Sequence, residues 1–95
     1  MTYTLRIKKN FYLDILNGIK TKEYRSVKPF YFRLESEEWK YLKLHYQSDC
    51  FLICSIDKIR KIKTPKFLKD CGIDFTDYVY EISIYDPKQF YFPSK

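Results

Sequence analysis

The segment GIKTKEYR, residues 18–25, contains the densest cluster of functional side chains in the chain. If this segment is extended, its side chains alternate between two sides. Those on one side are Thr21, Glu23 and Arg25, and those on the other are Lys22 and Tyr24. A carboxylate can pair with a guanidinium two residues along, which leaves other guanidinium donors for a phosphate or the edge of a base. Spacing alone favours a solvated surface strand with an ordinary salt bridge, which contributes little to stability, over such a site.

Three side chains of this segment suggest further chemistry. Lys20 and Glu23 could react as an acid and base pair, but a lysine serves as a base only where burial lowers its pKa, and the sequence shows no burial. Tyr24 is the ring best placed to stack on a base. The residues of the segment by themselves therefore leave ligand binding and catalysis both open.

A second cluster, KIRKIKTPKFLK at residues 58–69, contains six basic residues and no acid. With a formal net charge of +6 for the chain, it predicts a surface that follows phosphates without reading sequence. The alternative is a solvated edge strand whose lysines prevent pairing with other chains. The residues predicted to contact RNA or another ligand are Lys20, Thr21, Lys22, Glu23, Tyr24, Arg25, Lys28, Lys58, Arg60, Lys61 and Lys63.

The composition excludes several other classes of function. With glycine only at positions 18 and 72, no P-loop or dinucleotide-binding loop can form. Cys50 and Cys54, roughly 13 Å apart along a predicted strand, are expected to be reduced thiols rather than a disulfide. The cysteines and His45 match no standard zinc pattern, so we expect neither a metal nor a cofactor. Residues 1–10 lack the apolar run of a signal peptide or membrane span, which predicts a cytoplasmic protein without membrane contact.

Hydrophobic patterning predicts the elements that position these clusters. Alternation at residues 3–8 predicts a strand whose odd-numbered side chains are buried. Asn10 is expected to cap a two-turn helix that ends at Gly18. Pro29 is expected to open a helix over residues 29–36 whose consecutive aromatic residues include core positions.

The pattern of the second half of the chain predicts mainly strands. Strands are predicted at residues 39–46, at residues 51–62 as one long strand or two, and at residues 77–85. A short helix is expected within residues 65–73, and Asp86 with Pro87 is expected to end the last strand, whose tyrosines would pack inside a barrel. The predicted fold is therefore α+β, a small open β-barrel of about five strands with two or three short helices.

Residues 18–25 resemble the signature G-x-K-x-x-E-x-R of the ASCH domain family, relatives of the PUA RNA-binding domains, and every fixed position matches. The order of strand, helix and motif is also similar to that of the family. The stretch KPFYFRL resembles short, phage-type ASCH proteins, and DYVYEISIY resembles the last barrel strand of the family. The resemblance covers most of the chain and is most specific in residues 1–40.

The resemblance implies a PUA-like domain at residues 1–85 and a tail at residues 86–95 that packs on the barrel or extends from it. A cleft beside the motif would take RNA or a nucleotide-like ligand. In that cleft Lys20 matches the motif lysine, Glu23 the acid and Arg25 the terminal arginine.

One ASCH branch hydrolyses acetylated cytidine with a lysine, a threonine and a glutamate. Lys20 matches the lysine, but Glu23 stands where that branch has its threonine, and the glutamate has no identified counterpart. The resemblance therefore implies binding ahead of catalysis. The alternatives are a ribonuclease or modified-nucleoside amidohydrolase that uses Lys20 and Glu23, or a phage-type inhibitor module with a protein partner.

Overall fold

The computed structural model describes residues 1–70 and 76–92. In chain order the elements are β1 (Thr2–Arg6), α1 (Lys9–Leu16), β2 (Lys22–Ser26), a 3₁₀ turn (Pro29–Tyr31), α2 (Arg33–Ser36), β3 (Tyr41–Gln47), β4 (Cys50–Lys63), α3 (Lys66–Lys69) and β5 (Tyr78–Tyr91). The predicted α+β class, with five strands and short helices, is confirmed in these residues. α3 lies within the helix predicted at residues 65–73, and residues 71–73 of that prediction lie outside the described residues.

The five strands form one sheet in the order β1-β3-β4-β5-β2. β1 pairs with β3 in parallel, and the other three pairs are antiparallel. The sheet curls into a half-barrel, so that its two edge strands approach each other. Arg25 Nη2 of β2 donates a hydrogen bond of 3.0 Å to the carbonyl oxygen of Arg6 at the end of β1. The edges are therefore joined by a side chain rather than by a strand ladder.

The start of the chain follows its predicted pattern, because Tyr3, Leu5 and Ile7 are all buried. The predicted helix cap is wrong. The Ile7 N–H donates a hydrogen bond of 2.9 Å to the carbonyl oxygen of His45, so pairing with β3 continues beyond the end of β1. α1 therefore begins at Lys9, and no side chain caps it. Asn10 therefore lies inside the first turn of the helix.

The aromatic helix predicted at residues 29–36 is partly wrong. Pro29 does open a helical segment, but its first turn is 3₁₀, and α2 follows it. Side chains three residues apart share one side of a helical segment, and here half-buried Tyr31 of the 3₁₀ turn and buried Leu34 of α2 face inward. Phe30 and Phe32 consequently remain 80% and 47% exposed instead of joining the core.

The last strand does not end at Asp86 and Pro87, as the sequence predicted. β5 continues to Tyr91, and its final residues pair with the start of β4. A register shift places the extra residue of a bulge in β5 between Tyr85 and Lys88. Asp86 takes a positive φ of 52° there. A bulge accommodates an aspartate in the left-handed region and a proline, which has no N–H to donate. β5 therefore continues through Asp86 and Pro87.

The core lies inside the curl, between the sheet and α1. Its fully buried side chains are Tyr12, Ile15, Leu42, Leu44, Leu52, Cys54, Val79, Tyr80 and Ile82. Cys50 and Cys54 are buried free thiols, as predicted. Among the tyrosines of β5, Tyr80 is buried as expected, whereas Tyr78 and Tyr85 are exposed because they lie at the strand start and on the outer side of the bulge. Among the described residues, no helix is both long and apolar enough to cross a membrane.

Candidate functional site

A cleft of about 440 Å³ opens where the two edge strands of the half-barrel approach each other. Four side chains of the predicted motif line it together, namely Lys20, Glu23, Tyr24 and Arg25. The apolar part of the wall includes Phe11 from α1, Tyr31 from the 3₁₀ turn and Phe67 from α3. The cleft therefore combines a few converging polar groups with aromatic walls, which is typical of small-ligand sites.

The turn after α1 delivers Lys20 to the cleft. Gly18 adopts a φ of +76°, which reverses the chain at the end of the helix. The N–H groups of Ile19 and Lys20 then both donate to the carbonyl of Asp14, at 2.8 and 3.1 Å. Lys20 Nζ lies 5.4 Å from the ring centroid of Phe11 and 5.6 Å from that of Tyr24. Both rings stabilise the ammonium group through cation–π attraction.

Glu23 is the buried acid of the cleft, with a residue exposure of 4%. Its Oε1 lies 3.5 Å from Lys20 Nζ, and its Oε2 lies 3.3 Å from Arg25 Nη1. These two cations offset the cost of taking a carboxylate out of water. Oε2 has no hydrogen-bond partner among the described residues. The carboxylate is thus neutralised by charge while part of its capacity to accept hydrogen bonds is unused.

Arg25 donates hydrogen bonds to backbone carbonyl groups on both sides of the cleft. Besides its bond to the Arg6 carbonyl, its Nη1 donates at 2.8 Å to the carbonyl of Tyr24. The predicted pairing of Glu23 with Arg25 is confirmed. Because two guanidinium nitrogens donate to the backbone, Arg25 closes the seam between β1 and β2 as well as facing the cleft.

A second buried acid, Glu81, lies beside the cleft on β5, opposite Tyr24 of β2 and Arg60 of β4. Arg60 Nη2 donates to its Oε1 at 2.5 Å, the Tyr24 hydroxyl donates to its Oε2 at 3.2 Å, and Lys22 Nζ lies 3.7 Å away. Burial acts to raise the pKa of Glu81, but the hydrogen bonds from Arg60 and Tyr24 outweigh it and hold the pKa below its ordinary value. Burial also raises the pKa of Tyr24.

The remaining residues of the prediction lie elsewhere. Thr21, Lys22, Lys58 and Arg60 line a separate cavity of about 490 Å³. Lys61 Nζ lies 3.7 Å from Glu35, Lys63 lies in another cavity beside Thr64, and Lys28 is exposed after β2. The structure thus brings together four residues of the first cluster, whereas the basic residues predicted from the second cluster lie on other surfaces.

Sequence reasoning did not assign Phe11, Tyr31 and Phe67 to the cleft. Phe11 and Tyr31 were interpreted as packing residues of short helices, whereas Phe67 was assigned to the surface of the second basic cluster. No local pattern relates residue 67 to residue 24. Docking of α3 brings the rings of Phe67 and Tyr24 to a centroid distance of 5.7 Å. A contact of that kind has no signal in a single sequence.

In residues 1–70 and 76–92, no group of three or more histidine, cysteine, aspartate or glutamate side chains could hold a metal ion. No family model, curated protein or solved structure matches the chain. The assignment of a function therefore rests on the geometry and charge of the cleft and on the sequence motif whose residues line it.

Proposed function

We propose that the protein is a PUA-like, ASCH-type domain that binds RNA or a nucleotide in the cleft between β1 and β2. The observation that carries this proposal is the convergence of Lys20, Glu23, Tyr24 and Arg25 in one cavity. The cavity volume of about 440 Å³ lies within the range of small-ligand sites, roughly 300–1,000 Å³. The match of residues 18–25 to G-x-K-x-x-E-x-R and the curled five-strand sheet add support.

The aromatic wall suits a nucleobase. Tyr24 and Phe67 meet edge to face beside Phe11, so a planar ligand entering the cleft meets ring surface rather than only aliphatic groups. The incompletely bonded carboxylate of Glu23 would accept a hydrogen bond from an N–H group of the base. Together these features favour a ligand with a flat apolar surface and a hydrogen-bond donor at its edge.

The charge of the cleft suits a phosphate. Among the described residues, the cationic side chains that line it are Arg6, Lys8, Lys20 and Arg25, and the acid is Glu23. Glu23 lies between Lys20 and Arg25 and neutralises only part of the positive charge. The cleft therefore has a net positive potential, which attracts an anionic ligand. A ribonucleotide provides both the base for the aromatic wall and the anion for these cations.

A binding measurement with the four ribonucleoside 5′-monophosphates tests the proposal. Lys20→Gln removes a cation from the cleft, and we expect it to weaken binding of the preferred nucleotide roughly tenfold, as for loss of one charge-assisted contact. Lys40→Gln is the matched control, because Lys40 is exposed and lines a different cavity. Isothermal titration calorimetry gives both affinities.

The proposal fails if no monophosphate binds, or if Lys20→Gln binds as tightly as the Lys40→Gln control. Glu23→Gln provides an independent check, because it retains the shape of the side chain while it adds donors and removes charge. We expect this variant to change which base is preferred, which a purely phosphate-binding cleft would not do.

Hydrolysis is the second candidate function, favoured by the 3.5 Å separation of Lys20 Nζ and Glu23 Oε1 inside the cleft. Incubation with RNA and with acetylated cytidine, for the wild type and for Lys20→Ala, distinguishes catalysis from binding. Shortened RNA, or release of acetate and cytidine, by the wild type alone would establish hydrolysis. A binding protein leaves both compounds intact.

A further inference from the structure

The outer side of the sheet, facing away from the core, carries aromatic and basic side chains that the cleft does not use. Arg6, His45, Phe51 and Phe90 are successive cross-strand neighbours on β1, β3, β4 and β5. Lys43 and Lys88 occupy the next row on the same side, each opposite residue 53 of β4. We name the surface formed by Arg6, Lys43, Phe51, Lys88, Phe90 and Phe92 the outer platform.

The rings of the outer platform are nearly parallel. Phe51 stacks with Phe90 at a centroid distance of 5.3 Å and an interplanar angle of 15°, and with Phe92 at 5.9 Å and 28°. Lys43 Nζ lies 4.3 Å from the centroid of Phe51. Phe92 is 62% exposed and Phe90 is exposed as well. The platform therefore presents a short aromatic stack to solvent, with an ammonium group directly above one ring.

Folding alone does not account for these rings. The inward residues of the same strands, such as Leu42, Leu44 and Leu52, are fully buried and supply the core. The outward side of a half-solvated antiparallel sheet is normally polar. A group of exposed aromatic side chains at that position indicates a surface that contacts a partner.

We propose that the outer platform binds single-stranded RNA with little sequence preference, with bases stacking on the phenylalanine rings and phosphates contacting Arg6, Lys43 and Lys88. Charge complementarity favours this occupant over an apolar protein surface. Among the described residues, three cations of the platform face two nearby acids. These are Asp86, whose carboxylate lies 3.9 Å from Lys88, and Asp49, whose backbone carbonyl accepts the Phe92 N–H at 2.7 Å. Aromatic stacking combined with cations along the backbone is how proteins hold single strands without reading their sequence.

Arg6 links the outer platform to the cleft, since it is the end of the first row and also lines the cleft. A strand that lies on the platform can therefore continue to the cleft, where one nucleotide would be bound. This connection rests on the proposed function of the cleft. The platform itself is tested without it, because nucleoside monophosphates report on the cleft and oligonucleotides report on both surfaces.

Fluorescence anisotropy of a short fluorescein-labelled oligouridine, measured with the full chain, tests the platform. We expect the double variant Phe51→Leu and Phe92→Ala to weaken binding at least tenfold, because two of the three platform rings are lost. Phe51→Tyr keeps the ring and is expected to bind as the wild type does. Tyr78→Leu is the matched control, since Tyr78 is an exposed aromatic residue at the opposite end of β5. Thermal unfolding of each variant establishes that it is folded.

The salt dependence of oligouridine affinity is a second measurement. A variant that only disturbed packing would leave its slope unchanged. Lys43→Gln is expected to reduce the slope of log affinity against log salt by about 0.7, the value for one phosphate contact on a single strand. Unlabelled duplex RNA is expected to compete weakly, because its bases are already stacked on one another.

The outcomes separate the two proposals. Loss of oligouridine affinity in the platform variants, with unchanged nucleotide binding in the cleft, supports the outer platform. Equal oligouridine affinity in the double variant and the Tyr78→Leu control overturns it, and so does a wild type that does not bind oligouridine. A wild type that binds oligouridine through the platform but binds no monophosphate overturns the cleft proposal alone.

Discussion

At the scale of single residues, the two buried acids Glu23 and Glu81 have different surroundings. Glu81 accepts hydrogen bonds from Arg60 and Tyr24, so both of its oxygens are satisfied within the fold. Glu23 has two cations nearby, but its Oε2 has no hydrogen-bond donor among the described residues. We therefore infer that Glu81 supports the structure of the sheet, while Glu23 is the acid available to a ligand.

The assignment of Glu81 predicts a specific dependence on pH. Its pKa in the folded protein lies below the ordinary value of 4.5, so its ionised form stabilises the fold above about pH 4.5, and this stabilisation is lost as the pH falls through the folded-state pKa. We expect Glu81→Gln to lower the free energy of unfolding by about 1–3 kcal/mol at neutral pH. The difference from the wild type should shrink in acid.

Urea unfolding over a range of pH measures this difference. Glu37→Gln is the control, because Glu37 is an exposed acid that pairs with the exposed Arg33. A loss of stability in Glu81→Gln that is the same in acid as at neutral pH would contradict the role assigned to the ionised carboxylate.

At the scale of elements, periodicity identified strands and helices better than it identified where they end. β4 and β5 are each 14 residues long, and both continue through bulges that local signals cannot locate. Asp86 and Pro87 normally indicate a turn, yet pairing with β4 carries the chain through them. The strand ladder on one side of β5 outweighs the local preference of two residues.

The bulge predicts how position 86 tolerates substitution. Asp86→Gly should be at least as stable as the wild type, because glycine adopts a positive φ without steric cost. Asp86→Val should lose about 1–2 kcal/mol, because a β-branched residue is strained in that region. Both variants lose the exposed contact with Lys88, so the comparison between them isolates the backbone. Equal unfolding free energies for the two would show that the bulge is not retained in solution.

At the scale of the whole molecule, the cleft exists because the curled sheet brings its two edges together. Arg25 spans that seam, with bonds to the carbonyl of Arg6 on one side and to that of Tyr24 on the other. Its side chain is only 17% exposed. A residue that the sequence presented as a ligand contact therefore also closes the half-barrel.

This double role predicts that Arg25→Ala affects folding as well as binding. We expect it to lower the free energy of unfolding by about 2–3 kcal/mol, because two backbone carbonyls lose a donor and Glu23 loses a cation. Arg6→Ala is the matched control, since it removes an exposed arginine side chain from the same seam and leaves the carbonyl acceptor in place. Urea unfolding compares the two. Equal, small losses would mean that the seam is held by other contacts.

The spacing of residues in the sequence predicted much of the candidate site. Residues 23 and 25 fall on one side of an extended segment, and their side chains do form an ion pair. Lys20 lies close to Glu23 because the chain reverses at Gly18, which the sequence marked as the end of a helix. By contrast, the partnership of Arg60 and Tyr24 with Glu81 depends on strand register, and the outer platform depends on which side of β3, β4 and β5 faces solvent.

The sequence by itself determined the fold class, the order of most elements and the residues of the motif, because periodicity and turn residues act over a few neighbouring positions. Only the tertiary structure decided which basic residues face the cleft, which aromatic residues are exposed and where β5 ends. Lys22 and Lys20 are two residues apart, yet one pairs with Glu81 of β5 and the other lines the cleft with Glu23. The strand order and the curl of the sheet cause that difference, and both arise from contacts between segments that are distant in the chain.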